Sequence, residues 1–145
     1  MPDANNPRQL VVFTLGTEHY ALAIQQVHEI IRYSEPRSVA SRADWVRGVI
    51  SLRGRIVPVY DLAARLGVPS ELTEHTKIVI VEAGNETAGV IVDGVEEVMA
   101  VSAEQIEDVP GADTTLIDCI VKTGDRLVVL LKAEAIVAQP DLAAA

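Results

Sequence analysis

Acidic pairs and histidines are the residues of this sequence whose types could support catalysis or metal binding. Glu96-Glu97 and Glu107-Asp108 are neighbouring carboxylates, of the kind used in general acid and base catalysis. Because adjacent strand residues point to opposite faces of a sheet, we expect each pair to be separated and solvated. The histidines lack the spacing of metal ligands, and surface positions are expected for all of them: His19, His28 and His75. The sequence therefore predicts no metal and no cofactor.

Nucleophilic and phosphate-binding motifs are also missing from the sequence. Ser51 lacks the Gly-x-Ser-x-Gly context of a nucleophile elbow. The stretch 48–54 lacks the lysine and the helix of a phosphate-binding loop. The single cysteine, Cys119, excludes an internal disulfide, and its apolar surroundings favour a small buried side chain over a reactive thiol. We therefore expect no catalytic residues.

Charge and composition restrict the possible partners. The chain has 145 residues, a formal net charge of -9, 49% hydrophobic residues and only 3% aromatic residues. This acidic balance repels nucleic acid and anionic lipid, so neither is expected as a partner. The sequence contains neither an apolar run long enough to cross a membrane nor a signal peptide, which predicts a cytoplasmic protein without membrane insertion.

A predicted hairpin carries two arginines at its turn. Two apolar runs, Val49 to Leu52 and Ile56 to Val59, flank Arg53-Gly54-Arg55, a turn signal. Pro58 has no amide hydrogen, so its strand is expected at a sheet edge or with one unpaired backbone position. Asp61 is then expected to cap a short helix from Leu62 to Leu66.

The pattern of residues repeats along the chain. One alignment sets Glu18 on Glu86 and Val27 on Val95, and another sets Arg55-Ile56-Val57 on Arg126-Leu127-Val128. The pseudo-repeats span about 10–67 and 77–137, each with some five short strands and a terminal helix. This organisation predicts a mainly β protein built of two small barrels within a single domain, 10–139, between a disordered tail at 1–9 and a tail at 140–145. Whether the barrels exchange strands is left open.

Several strands are apolar on both faces, which a solvated barrel strand would not be. Examples are Ile78 to Val81, Gly89 to Val92 and Val128 to Leu131. We expect the barrels to bury part of this surface against each other and to leave the rest for partner proteins.

Two charges, Glu29 and Arg53, interrupt apolar segments where composition favours Val or Ile. We hypothesise that they pair near the junction of the barrels and fix the relative orientation of the barrel surfaces; the alternative is two unrelated exposed charges. Trp45 and Tyr60 flank the hairpin and are interpreted either as an anchor pocket or as core packing.

The hairpin sequence V-R-G-V-I-S-L-R-G-R-I-V-P-V-Y-D-L, which starts at Val46, closely resembles the hallmark of CheW-like coupling proteins of bacterial chemosensory arrays. The resemblance runs from about Leu10 to Val137 and includes V-H-E-I-I at 27–31 and V-I-V-D-G-V at 90–95. Ser51 stands where the family usually has Asn, which removes an amide that could brace the turn. The resemblance implies two five-stranded SH3-like β-barrel subdomains on a shared hydrophobic core, with a few short helices.

The resemblance also implies a non-enzymatic scaffold. Such adaptors couple the cytoplasmic tips of methyl-accepting chemoreceptors to the regulatory domain of the histidine kinase CheA, and are monomeric when free but form rings in arrays. An apolar groove between the barrels would receive the receptor helix. The residues implied at or near the partner contacts are Val27, Glu29, Gly48, Arg53, Gly54, Val95, Val98 and Met99.

Alternatives to this function remain open at the level of the sequence. The chain could be an adaptor of a non-flagellar pathway such as pilus motility, or a generic protein-binding β-barrel module. A small-molecule sensor would need a pocket at the barrel junction, and an enzyme would need scattered catalytic residues. A protein-binding adaptor accounts best for the duplication, the apolar strands and the missing catalytic motifs.

Overall fold

The computed structural model describes residues 8–41, 43–108 and 115–138 of the chain. Within them the fold consists of short strands and two five-residue helices. The strands are β1 (Arg8–Leu15), β2 (Glu18–Ala23), β3 (Val27–Arg32), β4 (Val46–Leu52), β5 (Arg55–Asp61), β6 (Lys77–Ala83), β7 (Glu86–Val92), β8 (Gly94–Val101), β9 (Ile106–Glu107), β10 (Ile117–Thr123) and β11 (Arg126–Leu131). The helices are α1 (Leu62–Leu66) and α2 (Ala133–Val137). The predicted mainly β fold is confirmed.

The strands form two sheets, each drawing on both pseudo-repeats. The first barrel is the five-stranded sheet, in the order β3-β6-β7-β5-β4. The second barrel is the sheet of order β8-β1-β2-β11-β10-β9, whose sixth strand is the two-residue β9. Strands β1 and β2 of the first repeat thus lie in the second barrel, and β6 and β7 of the second repeat lie in the first. The question of strand exchange, left open by the sequence, is answered by this topology.

Three apolar cores explain why so many strands are apolar on both faces. A shared core lies between the sheets and includes Phe13 and Leu22 of one sheet and Val79 and Val90 of the other. The remaining apolar residues fill each barrel, such as Ile78 in the first. Alternate residues of one strand therefore serve different cores, and both of its faces must be apolar.

The β4–β5 hairpin turns on two residues with positive φ, Arg53 at 50° and Gly54 at 79°. Two such residues define the type I′ turn, whose twist suits a two-residue hairpin. The strand that carries Pro58 is not at the edge, because β5 lies between β4 and β7. The other predicted outcome holds: β5 pairs with β7 only from Val59 onwards, which leaves the backbone of Pro58 unpaired on that side.

Local capping agrees with the sequence. The carboxylate of Asp61 accepts a hydrogen bond from the amide of Ala64 at 3.0 Å, and Gly67 ends α1 in the left-handed conformation. Ser102 and Gln105 form the reciprocal capping box of a short 3₁₀ turn. Trp45 and Tyr60 meet edge to face, 4.9 Å apart, against the shared core, so core packing is the correct reading of this pair.

Asp93 joins the two barrels where β7 ends and β8 begins. Its carboxylate accepts a hydrogen bond from the amide of Gly16 at 2.6 Å and another from the hydroxyl of Ser70. Its own amide donates to the carbonyl of Thr14 at 2.9 Å. Gly16 cannot carry a side chain, since a Cβ there would lie 2.8 Å from the carbonyl oxygen of Pro69.

Some boundaries differ from those predicted. The first strand begins at Arg8, because Arg8 and Gln9 pair with Val101 and Ala100, so these two residues are not part of a tail. The tails at 1–7 and 140–145 lie outside the described residues. Cys119 is buried in β10, as expected, and burial raises the pKa of its thiol. Among the described residues, no helix is long and apolar enough to cross a membrane.

Candidate partner-binding surfaces

Glu29 and Arg53 form a two-pronged ion pair. Arg53 Nη2 donates to Glu29 Oε1 at 2.9 Å, and Arg53 Nη1 donates to Glu29 Oε2. The hydrogen bonds from Arg53 hold the pKa of the Glu29 carboxyl below its ordinary value. The hypothesis that these residues pair is therefore confirmed.

The location of the pair differs from the predicted one. Both residues belong to the first barrel, with Glu29 in β3 and Arg53 at the turn after β4. Strands β3 and β4 are the two edges of one sheet. The pair therefore closes the seam of a single barrel and does not link the two barrels. Periodicity could not predict this, because it does not show which edge strands meet when a sheet curls.

A matching ion cluster lies on the second barrel. Arg126 donates from Nη1 to Glu96 Oε1 at 3.0 Å and from Nη2 to Glu97 Oε2 at 2.6 Å. Nε2 of His19 lies 3.2 Å from Glu96 Oε2. This cluster joins the edge strand β8 to the β10–β11 turn, as the first pair joins β3 to the β4–β5 turn.

The expectation that Glu96 and Glu97 point to opposite faces was wrong. The register of β8 against β1 shifts there, since Val12 pairs with Glu97 and Phe13 pairs with Val95. Glu96 is thus the extra residue of a β-bulge, which brings both carboxylates to the same guanidinium. The first barrel has the same bulge at His28, the repeat equivalent of Glu96.

Exposed apolar side chains accompany both ion clusters. Ile30, the residue after Glu29, is 40% exposed, and Ile56, three residues after Arg53, is 69% exposed. Val98, the residue after Glu97, and Leu127, the residue after Arg126, are each 56% exposed. The internal alignment that sets Arg55 on Arg126 also sets Ile56 on Leu127, and the one that sets Val27 on Val95 also sets Ile30 on Val98. We call these sets the first surface (Glu29, Ile30, Arg53, Ile56) and the second surface (Glu96, Glu97, Val98, Arg126, Leu127).

The other predicted contact residues are less exposed. Val27 and Val95 are partly buried and pack against the shared core, whereas Met99 packs against the interior of the second barrel. Gly54 lies in the turn beside Arg53, and a Cβ added there would meet nothing within 4 Å. Gly48 is buried in β4. Of the predicted set, Glu29, Arg53 and Gly54 lie together, while Val98 belongs to the second surface.

Gly48 lies directly against the backbone of Arg37 and Ser38, in the segment 34–41. A Cβ at Gly48 would lie 2.0 Å from the carbonyl oxygen of Arg37, and the φ of Gly48 is 142°, which only glycine adopts readily. Arg37 and Val49 exchange two backbone hydrogen bonds of 2.8 and 2.9 Å. Any side chain at Gly48 would displace this segment.

A small recess lies next to the first surface, at one end of the first barrel. It has a volume of about 80 Å³ and is lined by His28, Leu52, Arg53, Arg55, Val57, Ile80, Glu82 and Thr87. Binding pockets for small molecules are usually several times larger, on the order of 300 Å³ or more. This recess therefore gives no support to the small-molecule sensor. In the described part of the chain, no group of three or more His, Cys, Asp or Glu residues could hold a metal ion.

Sequence reasoning missed Ile30, Ile56, Leu127 and Arg126 as surface residues. The signal was present, because the repeat places Ile56-Val57 on Leu127-Val128. In both barrels the first of the two apolar residues is exposed and the second is buried. Two barrels that share a core, each with an ion cluster and exposed aliphatic side chains, define a class of duplicated SH3-like proteins.

Comparison with known proteins identifies the family within this class. Residues 9–141 match the model of the CheW-like domain. The chain is 33% identical to the chemotaxis protein CheW of Klebsiella aerogenes over 143 residues, or 94% of this chain and 85% of that one. It is 35% identical to the chemotaxis protein CheW of Bacillus subtilis over 133 residues, or 88% and 85% of the two chains.

A solved structure agrees with this assignment. The scaffolding protein TtCheW from Thermoanaerobacter tengcongensis superposes with a TM-score of 0.82 at 35% identity, covering 87% of this chain and 89% of that one. The chain belongs to the CheW-like family, a family of chemotaxis scaffold proteins.

Proposed function

We propose that this protein is a non-enzymatic cytoplasmic adaptor that couples chemoreceptors to the histidine kinase CheA. The observation that carries the proposal is the presence of two similar surfaces, one on each barrel, each with a paired arginine and exposed aliphatic residues close to it in the sequence. A scaffold must hold more than one partner at once, and two such surfaces on one rigid body supply the means.

The chemistry of the two surfaces suits protein partners. Exposed aliphatic side chains gain free energy when a partner covers them, whereas a paired guanidinium with spare donors adds directional hydrogen bonds. Arg53 uses two donors for Glu29 while its side chain remains 68% exposed. It can therefore bind a carboxylate or carbonyl of a partner without leaving Glu29 unpaired.

The contact residues proposed for the receptor and the kinase are those of the two surfaces, together with Val27, Gly54, Val95 and Met99. The partly buried members of this set, Val27, Val95 and Met99, adjoin the apolar cores. A receptor helix that packs into a groove between the barrels would extend the shared core by covering Val27 and Val95.

Replacing Arg53 by Glu is the direct test of the first surface. Arg53→Glu places a second carboxylate against Glu29, so we expect partner affinity to fall by at least about tenfold. The fold should remain, because Arg53 is exposed. Binding would be measured by titration of purified kinase regulatory domain and of receptor cytoplasmic fragment, with circular dichroism as the check on folding.

Arg32→Glu is the matched control, since Arg32 is exposed at the end of β3 and forms no ion pair within the described part of the chain. Reconstitution with receptor and CheA then tests coupling itself, and added protein should raise receptor-controlled autophosphorylation. If kinase output does not change although both partners bind, the chain is a generic binding module and the coupling proposal is wrong.

A further inference from the structure

Residues 34–41, which we call the strap, cross from the end of β3 to the outer edge of β4. These two strands are the opposite edges of the first barrel, and the ladders of that sheet do not pair them with each other. Tyr33, just before the strap, packs with Ile50 and Leu52 of β4 against the interior core. The strap therefore bridges the same seam that Glu29 and Arg53 close.

A single backbone bridge holds the strap on β4. The amide of Arg37 donates to the carbonyl of Val49 at 2.8 Å, and the amide of Val49 donates to the carbonyl of Arg37 at 2.9 Å. The side chains of 37–41 are exposed, so there is little apolar burial to hold the strap in place. Its position depends on the two hydrogen bonds and on the missing side chain of Gly48.

The seam is thus closed at two points of one hairpin. Val49 is bonded to the strap, and Arg53, at the end of the same strand, is bonded to Glu29. Because Arg53 is largely exposed, its direction is set by the hairpin backbone and by Glu29, with little help from packing. Release of the strap would free the β4–β5 hairpin to move away from β3.

We propose that the strap and Gly48 position the hairpin, so that Arg53 remains bonded to Glu29 and is presented to partners in one orientation. Gly48 is then a positioning residue, which affects binding without touching a partner. The statement about binding rests on the proposed function, whereas the statement about the seam does not.

The experiment compares two substitutions at one exposed position. Arg37→Pro removes the amide that donates to Val49, whereas Arg37→Ala keeps that amide and removes only the side chain. Gly48→Ala is a second way to displace the strap. All variants would be full-length chains, checked for folding by circular dichroism.

Three measurements test the proposal: hydrogen exchange at Val49, the titration of Glu29 and the affinity for the kinase regulatory domain. Amide hydrogen exchange at Val49 should accelerate by about tenfold or more in Arg37→Pro and Gly48→Ala, because local opening exposes that bond. The Glu29 carboxyl, titrated by NMR, should move back toward its ordinary pKa in both variants, since Arg53 is no longer held against it. Affinity for the kinase regulatory domain should fall by about tenfold in both. Arg37→Ala should match the parent protein in all three.

Each result is decisive for one part of the inference. Unchanged exchange at Val49 and an unchanged Glu29 titration in Arg37→Pro would overturn the positioning role of the strap, even if Gly48→Ala has an effect. If the pKa of Glu29 moves in Arg37→Pro and Gly48→Ala while their affinity for the kinase regulatory domain equals that of the parent, the proposed link between the strap and partner binding is wrong. If the parent protein binds no kinase or receptor fragment, the proposed function fails, but the exchange and titration results still decide how the seam is held.

Discussion

The charged side chains of the two surfaces are held by ion pairs that are exposed to solvent, and water weakens the attraction within such pairs. Such exposed ion pairs contribute little to the free energy of unfolding, typically well below that of a buried contact. Arg53 also has a positive φ, an unusual conformation for a residue other than glycine. An arginine at this position therefore carries some conformational cost, which agrees with the contact to a partner that we propose for it.

The pH dependence of folding should reveal the Glu29–Arg53 pair. The pKa of Glu29 is lowered in the folded protein by the hydrogen bonds from Arg53. A depressed folded pKa contributes stability that is present above the unfolded pKa and is lost as the pH falls through the folded pKa. We expect Glu29→Gln to be less stable than the parent at neutral pH, and the difference to shrink once the pH falls below the ordinary pKa of a glutamate and through the lowered pKa of Glu29. Urea unfolding midpoints measured from pH 3 to pH 7 would check this, and a constant difference over that range would contradict it.

At the scale of the elements, irregular features of the strands position the charged residues. The bulge at Glu96 turns two adjacent carboxylates toward Arg126, and the matching bulge at His28 precedes Glu29. Both bulges lie on edge strands, where an extra residue is most easily accommodated. Each barrel thus carries an ion cluster placed at a break in strand register, and in the first barrel that cluster joins the two edge strands.

The hydrogen bonds that Asp93 accepts from Gly16 and Ser70 should contribute measurably to the free energy of unfolding. We expect Asp93→Ala to lower the free energy of unfolding by about 1–2 kcal/mol, because the amide of Gly16 and the hydroxyl of Ser70 lose a charged acceptor. Chemical denaturation would measure the change. Asp118→Ala is the matched control, since Asp118 is exposed in β10, and its effect should be within about 0.5 kcal/mol of zero. Equal effects of the two substitutions would show that the Asp93 contacts are not important for folding.

At the scale of the whole molecule, exchange of strands makes the two barrels interdependent. Strands β1 and β2 complete the second barrel, and β6 and β7 complete the first, so each sheet needs both halves of the sequence. The shared core takes residues from both sheets and both helices. A rigid pair of surfaces follows from this arrangement, because neither barrel can rotate without disrupting the core.

Cutting the chain between the pseudo-repeats tests this interdependence. We expect the fragments 1–76 and 77–145 to be unfolded alone and to form a folded complex when mixed. The first fragment lacks β6 and β7 of the first barrel, and the second fragment lacks β1 and β2 of the second barrel. Far-UV circular dichroism and amide NMR spectra of each fragment and of the mixture would show this. A fragment with a dispersed spectrum on its own would mean that one half can build a complete barrel.

The sequence by itself determined the local and repeated features of this protein. Turn chemistry at Arg53-Gly54, the cap at Asp61 and the alternation of apolar residues depend on neighbours in the chain, and the duplication is visible in the residues themselves. The pairing of Glu29 with Arg53 was correctly proposed: two charges stood where apolar residues were expected, and the family resemblance favoured a pair over two unrelated exposed charges.

Only the tertiary structure decided which strands share a sheet, which edges meet, and where the strand register shifts. Hydrophobic periodicity reports how often a side chain faces a core, but strands apolar on both faces fit either sheet equally well. The convergence of Glu96 and Glu97 on Arg126 and the contact of Gly48 with Arg37 are set by a bulge and by a chain crossing. Both depend on the packing of residues that are distant in the sequence, and therefore no local pattern could reveal them.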